Sequence, residues 1–151
     1  MTRLPRNCVI DASVVIKLFL PEVHSPVIQA FFLEFDSSTP IELYVPDLFY
    51  VECTNILWKA MRWGSYTLAQ AQQDLQNLHE MSLTSTPTVE LFNRAIDITE
   101  AYNITAYDAC YVELAHQVEA PLITCDEKLL RALTRSPYDV RFLNTIGKLF
   151  I

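Results

Sequence analysis

Short apolar runs alternate along this chain with longer segments in which apolar residues recur every three or four positions. The runs predict buried strands and the longer segments predict helices, because side chains repeat every two residues in a strand and about every 3.6 in a helix. The first strand is predicted at Cys8 to Ile10, and a helix over Ala12 to Leu20 follows it at once and ends before Pro21. Asp11 then lies at the carboxyl end of that strand.

The rest of the chain continues this alternation. Six further helices are predicted, over residues 26–35, 47–63, 67–81, 88–102, 105–118 and 127–133. Four further strands are predicted, over residues 42–45, 82–86, 121–125 and 140–143, with a loop at 36–40. Gly64 is expected to end one helix, and Thr88 is placed to cap another. The pattern indicates an α/β protein whose central, mostly parallel sheet of about four to five short strands is flanked by helices.

Composition agrees with one globular domain over residues 1–151. The hydrophobic fraction of 51% against 19% charged residues describes a chain with a large core, and it also permits apolar surface that contacts a second copy. Only two glycines are present, so there is no glycine-rich phosphate loop. This excludes P-loop and dinucleotide-binding folds. The four cysteines show no paired metal-ligand or redox motif, and we expect reduced, mostly buried thiols.

The charge balance limits the ways in which the protein can contact nucleic acid. Eleven Lys and Arg against 18 Asp and Glu leave a formal net charge of −7, which argues against a broad basic face as the binding surface. Nucleic acid remains possible as a substrate, because bound Mg²⁺ or Mn²⁺ would reverse the local field. The apolar run before Asp11 is too short for a signal peptide or a membrane span, so we expect a cytoplasmic protein without membrane contact.

Four carboxylates that are distant in sequence each adjoin an apolar segment that should be core. They are Asp11, Glu52, Asp108 and Asp126. Burial penalises the charged form of a carboxylate, and neighbouring like charges penalise it further. A divalent cation would remove both penalties, since Mg²⁺ and similar ions prefer oxygen ligands. Asp11 and Asp126 should emerge at the carboxyl ends of strands, where ligands bind in parallel sheets.

Each of these residues also has an ordinary structural interpretation. Asp11 and Asp126 sit between a strand and a helix, where a carboxylate can cap the free helix amides. Glu52 and Asp108, near helix starts, fit that interpretation less well because their apolar neighbours suggest largely buried helix faces. Those neighbours are Tyr50, Val51, Ile56, Tyr107 and Tyr111. The presence of all four favours a functional site.

Four segments of the chain resemble the sequence motifs of a known protein family. They read VIDASVVIKLF from Val9, VECTNILWK from Val51, TAYDACYVELA from Thr105 and LITCDEKL from Leu122. In this order they resemble the successive motifs of PIN-domain ribonucleases, especially VapC-type toxins of toxin–antitoxin pairs. The resemblance spans most of the chain and implies a single PIN-like domain.

The resemblance also implies a role for the four acidic residues. Asp11, Glu52, Asp108 and Asp126 would bind one or two Mg²⁺ or Mn²⁺ ions and serve as the catalytic residues of RNA hydrolysis. Two ions about 3.5–4 Å apart can activate water and stabilise the leaving oxygen, so the chemistry needs no nucleophilic serine or catalytic histidine.

Other residues match positions around the acidic set. Ser13, Asn55 and Thr124 would orient a carboxylate or a water molecule, although Ser13 can also be a helix cap, Thr124 a plain strand residue and Asn55 a packing residue. Lys17 and Lys59 are candidate contacts to RNA phosphates, with solvated surface lysines as the ordinary interpretation.

Three classes of function follow from the sequence. The first is a metal-dependent endoribonuclease, the toxin of a type II toxin–antitoxin pair, with RNA as substrate, a small antitoxin as partner and a homodimer as its assembly. The alternative is a catalytically weak or inactive PIN-like module that binds a protein. The third class, a phosphoacceptor α/β protein, fits poorly. A phosphatase of this kind needs a second aspartate two residues after the first, and a receiver domain needs an acidic pair after the first strand. Here Ala12 and Ser13 follow Asp11 instead.

Overall fold

One parallel sheet organises the molecule. The computed structural model describes residues 6–20, 26, 29, 41–64 and 66–143. Its strands there are β1 (Asn7–Ile10), β2 (Glu42–Pro46), β3 (Leu83–Thr86), β4 (Leu122–Thr124) and β5 (Val140–Phe142). They lie in the order β3-β2-β1-β4-β5, and every pairing is parallel. The predicted α/β fold with a central parallel sheet is confirmed.

Helices occupy most of the segments between the strands. They are α1 (Ala12–Val15), α2 (Leu48–Trp63), α3 (Leu68–Glu80), α4 (Phe92–Tyr102), α5 (Ala106–Gln117) and α6 (Glu127–Ala132). Short 3-10 turns cover Ile16–Leu18 and Thr88–Glu90. Apart from residues 26 and 29, the predicted helix over 26–35 and the loop at 36–40 lie outside the described residues. None of the helices in the described ranges is long and apolar enough to cross a membrane.

The helix ends follow from local chemistry. Thr67 and Gln70 form a reciprocal capping box at the start of α3, and Gly64 ends α2 as predicted. Asn103 ends α4 in the left-handed region at φ 52°, a conformation that asparagine tolerates well. These signals are short-range, which explains why the sequence indicates most boundaries to within a few residues.

The expectation that Thr88 caps a helix is wrong. Residues Thr88–Glu90 form a 3-10 turn, and α4 begins only at Phe92. The amide and the hydroxyl of Thr88 both donate to Asp47 Oδ1 instead. Neighbouring parallel strands β2 and β3 end at the same edge of the sheet, so the carboxylate that follows β2 reaches Thr88 and satisfies its donors.

The core lies between the centre of the sheet and α5. Every residue of α5 from 109 to 115 is buried, so this helix is fixed along nearly its whole length. Cys8, Cys53 and Cys110 are free and buried, which confirms the expected thiols, while Cys125 is half-buried. Burial raises the pKa of Cys8 to about 12 and also raises that of Cys53, which keeps both thiols protonated. A rigid α5 holds the residues at its start, including Asp108, in a defined place.

Candidate functional site

Two central strands end side by side and bring Asp11 and Asp126 to one edge of the sheet. Ile10 is in register with Ile123, and the amide of Asp11 donates to the carbonyl of Ile123 at 3.0 Å. In the sheet, β2 and β3 lie on one side of β1, whereas β4 and β5 lie on the other side. Open α/β sheets bind ligands at such a switch in strand order, beyond the carboxyl ends of the strands.

Asp11 is buried and held by two hydroxyl groups. Its Oδ2 accepts hydrogen bonds from Ser13 Oγ at 2.8 Å and from Thr124 Oγ1 at 2.7 Å. No capping hydrogen bond of ordinary geometry joins its carboxylate to α1. The backbone amide of Ser13 lowers the pKa of Asp11 less than the two hydroxyls do, so capping alone does not account for this residue. Burial raises the pKa of Asp11, the hydroxyls of Thr124 and Ser13 act in the opposite direction, and the charge of Asp126 raises it further.

The same two hydroxyls connect Asp11 to the end of β4. Thr124 Oγ1 accepts from the amide of Asp126 at 3.0 Å, and Ser13 Oγ accepts from the amide of Cys125 at 3.1 Å. Each hydroxyl therefore accepts from the backbone and donates to one carboxylate. This arrangement orients Oδ2 of Asp11 from two sides.

Asp126 caps α6. Its Oδ1 accepts from the amides of Lys128 at 2.8 Å and Leu129 at 3.1 Å. The capping interpretation is therefore confirmed for one of its two oxygens. Capping also fixes the direction of the carboxylate beside Asp11.

Asp108 lies at the start of α5, where Thr105 caps the helix. Thr105 Oγ1 accepts from the amide of Asp108 at 3.1 Å. Burial raises the pKa of Asp108, the Thr105 hydroxyl lowers it, and the charges of Asp11 and Asp126 raise it. The nearby charge of Lys128 lowers it again, which places a cation beside the acidic residues. Nothing in the sequence marks Lys128 as a site residue. Its position two residues after Asp126 does not reveal that Lys128 lies near Asp108.

Glu52 is the fifth residue of α2 and is half-buried. Burial raises its pKa to about 7; the Tyr111 hydroxyl lowers it, and the charges of Asp11 and Asp108 raise it. Neither Glu52 Oε1 nor the Tyr111 hydroxyl has a hydrogen-bond partner of ordinary geometry among the described residues, although both atoms are buried. Tyr111 also went unrecognised as a site residue, because an aromatic residue on a buried helix reads as core.

The expectation of buried faces around Glu52 and Asp108 holds only in part. Tyr111 is 1% exposed, but Val51 is 72% exposed and Tyr107 is 64% exposed. Consecutive residues of a helix point about 100° apart, so a half-buried acidic residue leaves its immediate neighbour facing solvent.

Carboxylate charges that raise the pKa of Asp11, Glu52 and Asp108 link the four acidic residues into one group. Asp11 is affected by Asp126, Glu52 by Asp11 and Asp108, and Asp108 by Asp11 and Asp126. Within the part of the chain that the structure describes, however, no three His, Cys, Asp or Glu side chains are already set around one point as ligands. The four carboxylates are neighbours, but in this arrangement they do not form a ready-made ligand set among the described residues.

The remaining predicted site residues lie at the periphery. Asn55 and Lys59 are exposed on α2, and no hydrogen bond joins Asn55 to Glu52. Lys17 is half-buried in the 3-10 turn after α1. A cleft of about 480 Å³ lies at the amino ends of β1, β4 and β5, the opposite edge of the sheet, and none of the four carboxylates lines it. The acidic edge is the better candidate site, because the charged and hydrogen-bonded groups converge there.

Comparisons with known proteins concern the domain as a whole and not single site residues. The sequence model of the PIN domain family matches residues 8–133 of this chain. Ribonuclease VapC3 of Pyrobaculum aerophilum is 34% identical over 123 residues, which cover 80% of this chain and 90% of the relative.

Solved structures are similar in fold. A crystal structure from Pyrobaculum aerophilum has a TM-score of 0.67 at 22% identity and covers 95% of this chain and 94% of its own. A toxin–antitoxin complex from Klebsiella pneumoniae has a TM-score of 0.64 at 14% identity, covering 90% of this chain and 97% of that one.

Proposed function

Because the chain belongs to the PIN domain family, we propose that it is a metal-dependent endoribonuclease that hydrolyses RNA phosphodiester bonds as the toxin of a type II toxin–antitoxin pair. The observation that carries this proposal is the group of four carboxylates at the switch point of the sheet, where neighbouring carboxylate charges raise the pKa of Asp11, Glu52 and Asp108. The 34% identity to a relative named as a ribonuclease supports the same reaction.

One or two Mg²⁺ or Mn²⁺ ions are the proposed cofactor. The donor set fits this choice, because Asp11, Glu52, Asp108 and Asp126 offer only oxygen atoms and one of these, Glu52 Oε1, is buried without a partner. The four carboxylates would hold the ions. Bound Mg²⁺ or Mn²⁺ lowers the pKa of water and stabilises negative charge on phosphoryl and leaving oxygens.

The chain's own residues have defined tasks in this proposal. Ser13 and Thr124 orient the carboxylate of Asp11, since both donate to its Oδ2. Lys128 lies near Asp108 and is placed to balance part of the charge of an approaching phosphate. Lys59 is a proposed contact to RNA phosphates on the exposed side of α2. Asn55, on the same helix as Glu52, keeps its proposed role of orienting a carboxylate or a water molecule.

Lys17, on the 3-10 turn after α1, is retained as a further proposed phosphate contact. We place the protein in the cytoplasm, where its RNA substrate is found.

Partner binding is supported by exposed apolar side chains. Val89, Phe92 and Ile96 are 54–70% exposed at spacings of three and four along the 3-10 turn and α4, which places them on one side. On α2, Trp58 is 50% exposed and Trp63 is 84% exposed. Apolar residues grouped at a surface commonly mark protein interfaces. We propose that such surfaces serve a homodimer and a small antitoxin.

The test is cleavage of a labelled structured RNA and of a random-sequence RNA pool. Wild type, Asp11→Asn and Asp108→Asn are compared in Mg²⁺, in Mn²⁺ and in EDTA. Asp97→Asn is the matched control, because it removes the same charge from an exposed position on α4.

Cleavage by wild type and Asp97→Asn, lost in EDTA and in both site variants, is the expected result. If Asp11→Asn and Asp108→Asn both cleave RNA as fast as wild type, the proposal is wrong. If wild type cleaves nothing but binds an antitoxin-like peptide, the non-catalytic binding module becomes the better account.

A further inference from the structure

Two adjacent buried oxygens at the acidic site lack hydrogen bonds of ordinary geometry. Three buried side-chain oxygens in the described residues have no partner, and two of them, Glu52 Oε1 and the Tyr111 hydroxyl, belong to neighbouring side chains. Buried polar groups in folded proteins nearly always find a partner, so such a pair needs an explanation. The Tyr111 hydroxyl lies close enough to Glu52 to lower its pKa, yet no hydrogen bond of ordinary geometry joins the two groups. A change in the orientation of Glu52 would bring them into a normal bond.

The position of Tyr111 suits a role at the site. It lies three residues after Asp108 on α5, so the two side chains share a helix face. It is 1% exposed, and the charges of Asp11 and Glu52 both act on its hydroxyl. Phenylalanine would fill nearly the same volume without placing a polar group among carboxylates. The hydroxyl is therefore useful here only as a hydrogen-bond donor.

The acceptor that needs this donor is Glu52. A carboxylate that binds a cation through one oxygen leaves the other to be satisfied by the protein, and such outer contacts fix the ligand's orientation. Among the described residues, Tyr111 is the side chain whose hydroxyl acts on the Glu52 carboxylate. Asp11 already has Ser13 and Thr124 in this role, and Asp126 has two amides.

We propose that Tyr111 is a positioning residue that donates a hydrogen bond to Glu52 when Glu52 turns to bind the cation, and so fixes which carboxylate oxygen faces the metal. The inference rests on the proposed metal-dependent function. Because no hydrogen bond of ordinary geometry joins them in the metal-free arrangement, the hydroxyl contributes to metal affinity and does not stabilise the metal-free fold.

The experiment is a calorimetric titration of the full chain with Mn²⁺ alone, paired with thermal unfolding in EDTA. Tyr111→Phe removes only the hydroxyl. Tyr107→Phe is the matched control, since it makes the same change on the same helix at a side chain that is 64% exposed. Tyr111→Phe should weaken Mn²⁺ binding by about 10–100-fold, the usual effect of losing such an outer contact. Its metal-free melting temperature should be no lower than that of wild type, because the substitution removes a buried hydroxyl that lacks a normal partner. Tyr107→Phe should change neither value.

Cleavage provides a second readout. If the hydroxyl acts through Glu52, raising the Mn²⁺ concentration should restore cleavage by Tyr111→Phe, which a purely structural defect would not allow. Wild-type Mn²⁺ affinity in Tyr111→Phe would overturn the role of Tyr111 alone. A lower metal-free melting temperature in that variant would assign the hydroxyl to the fold and overturn the proposal as well. Failure of wild type to bind Mn²⁺ would overturn the metal-dependent function and this inference together.

Discussion

Single side chains at the acidic edge balance burial against hydrogen bonding in different ways. Asp11 is the most buried of the four, and two hydroxyls donate to it. Glu52 has a buried oxygen without a partner, and its pKa of about 7 places its protonation near neutral pH. Glu52 should therefore change its charge over the pH range around neutrality.

This pKa predicts how stability depends on pH. Folding raises the pKa of Glu52 from 4.5 to about 7, so the folded state favours the protonated form. The corresponding stabilisation is fully present below about pH 4.5 and is lost as the pH rises through about 7. Denaturant unfolding in EDTA at a series of pH values should show the unfolding free energy of wild type falling more steeply over this range than that of Glu52→Gln. Parallel curves would contradict the prediction.

The hydroxyl of Thr124 is expected to contribute to stability. Thr124→Val keeps the shape of the side chain but removes the donor to Asp11 Oδ2 and the acceptor for the amide of Asp126. Leaving buried groups unpaired costs about 1–3 kcal/mol, and the unfolding free energy should fall by that amount. Thr124→Ser is the control, because it keeps the hydroxyl. If the valine variant is as stable as the serine variant in urea unfolding, the hydrogen bonds at this position contribute nothing.

At the scale of elements, the site is assembled from strand ends and helix starts. Asp11 follows β1 and Asp126 follows β4, while Asp108 lies in the first turn of α5 and Glu52 is the fifth residue of α2. The buried length of α5 and the contact between Asp47 and Thr88 hold these elements in place. Asp126 is the residue in which the structural and the proposed functional roles coincide.

Substitutions of Asp126 separate these two roles. Asparagine caps helices about as well as aspartate, so Asp126→Asn should leave the unfolding free energy nearly unchanged, whereas Asp126→Ala should lower it by about 1 kcal/mol. If Asp126 is a metal ligand, both variants should lose Mn²⁺ affinity in calorimetry. If Asp126→Asn binds Mn²⁺ as tightly as wild type, Asp126 is a helix cap and not a metal ligand.

At the scale of the whole molecule, the acidic group adds to a net charge of −7. Carboxylates that repel one another in the metal-free protein should make the folded state responsive to divalent cations. A ligand that binds only the folded state stabilises it by an amount that grows with its concentration.

Mn²⁺ and Mg²⁺ should therefore raise the melting temperature. At a concentration about 100 times the dissociation constant the stabilisation reaches about 2.7 kcal/mol. Scanning calorimetry with NaCl at matched ionic strength controls for screening of the net charge. Asp11→Asn should show little response to Mn²⁺ and the same response to NaCl as wild type. Equal shifts with Mn²⁺ in both proteins would indicate general charge screening and not a site.

The sequence alone determined the elements and the chemistry at their ends. Periods of two and of about 3.6 residues, capping residues and Gly64 act over a few positions, so they indicate strands, helices and their boundaries directly. The same local signals placed Asp11 and Asp126 at strand ends, and the ordered acidic motifs indicated the PIN domain family to which the chain belongs.

Only the tertiary structure decided which side chains meet. Thr124 bonds Asp11 across 113 positions of sequence because β4 lies beside β1, and no local pattern encodes that strand order. For the same reason Lys128 beside Asp108, Tyr111 beside Glu52 and the turn of Thr88 toward Asp47 were missed. Each depends on the packing of elements distant in sequence, and packing is decided by the burial of whole faces rather than by the residues next to each side chain.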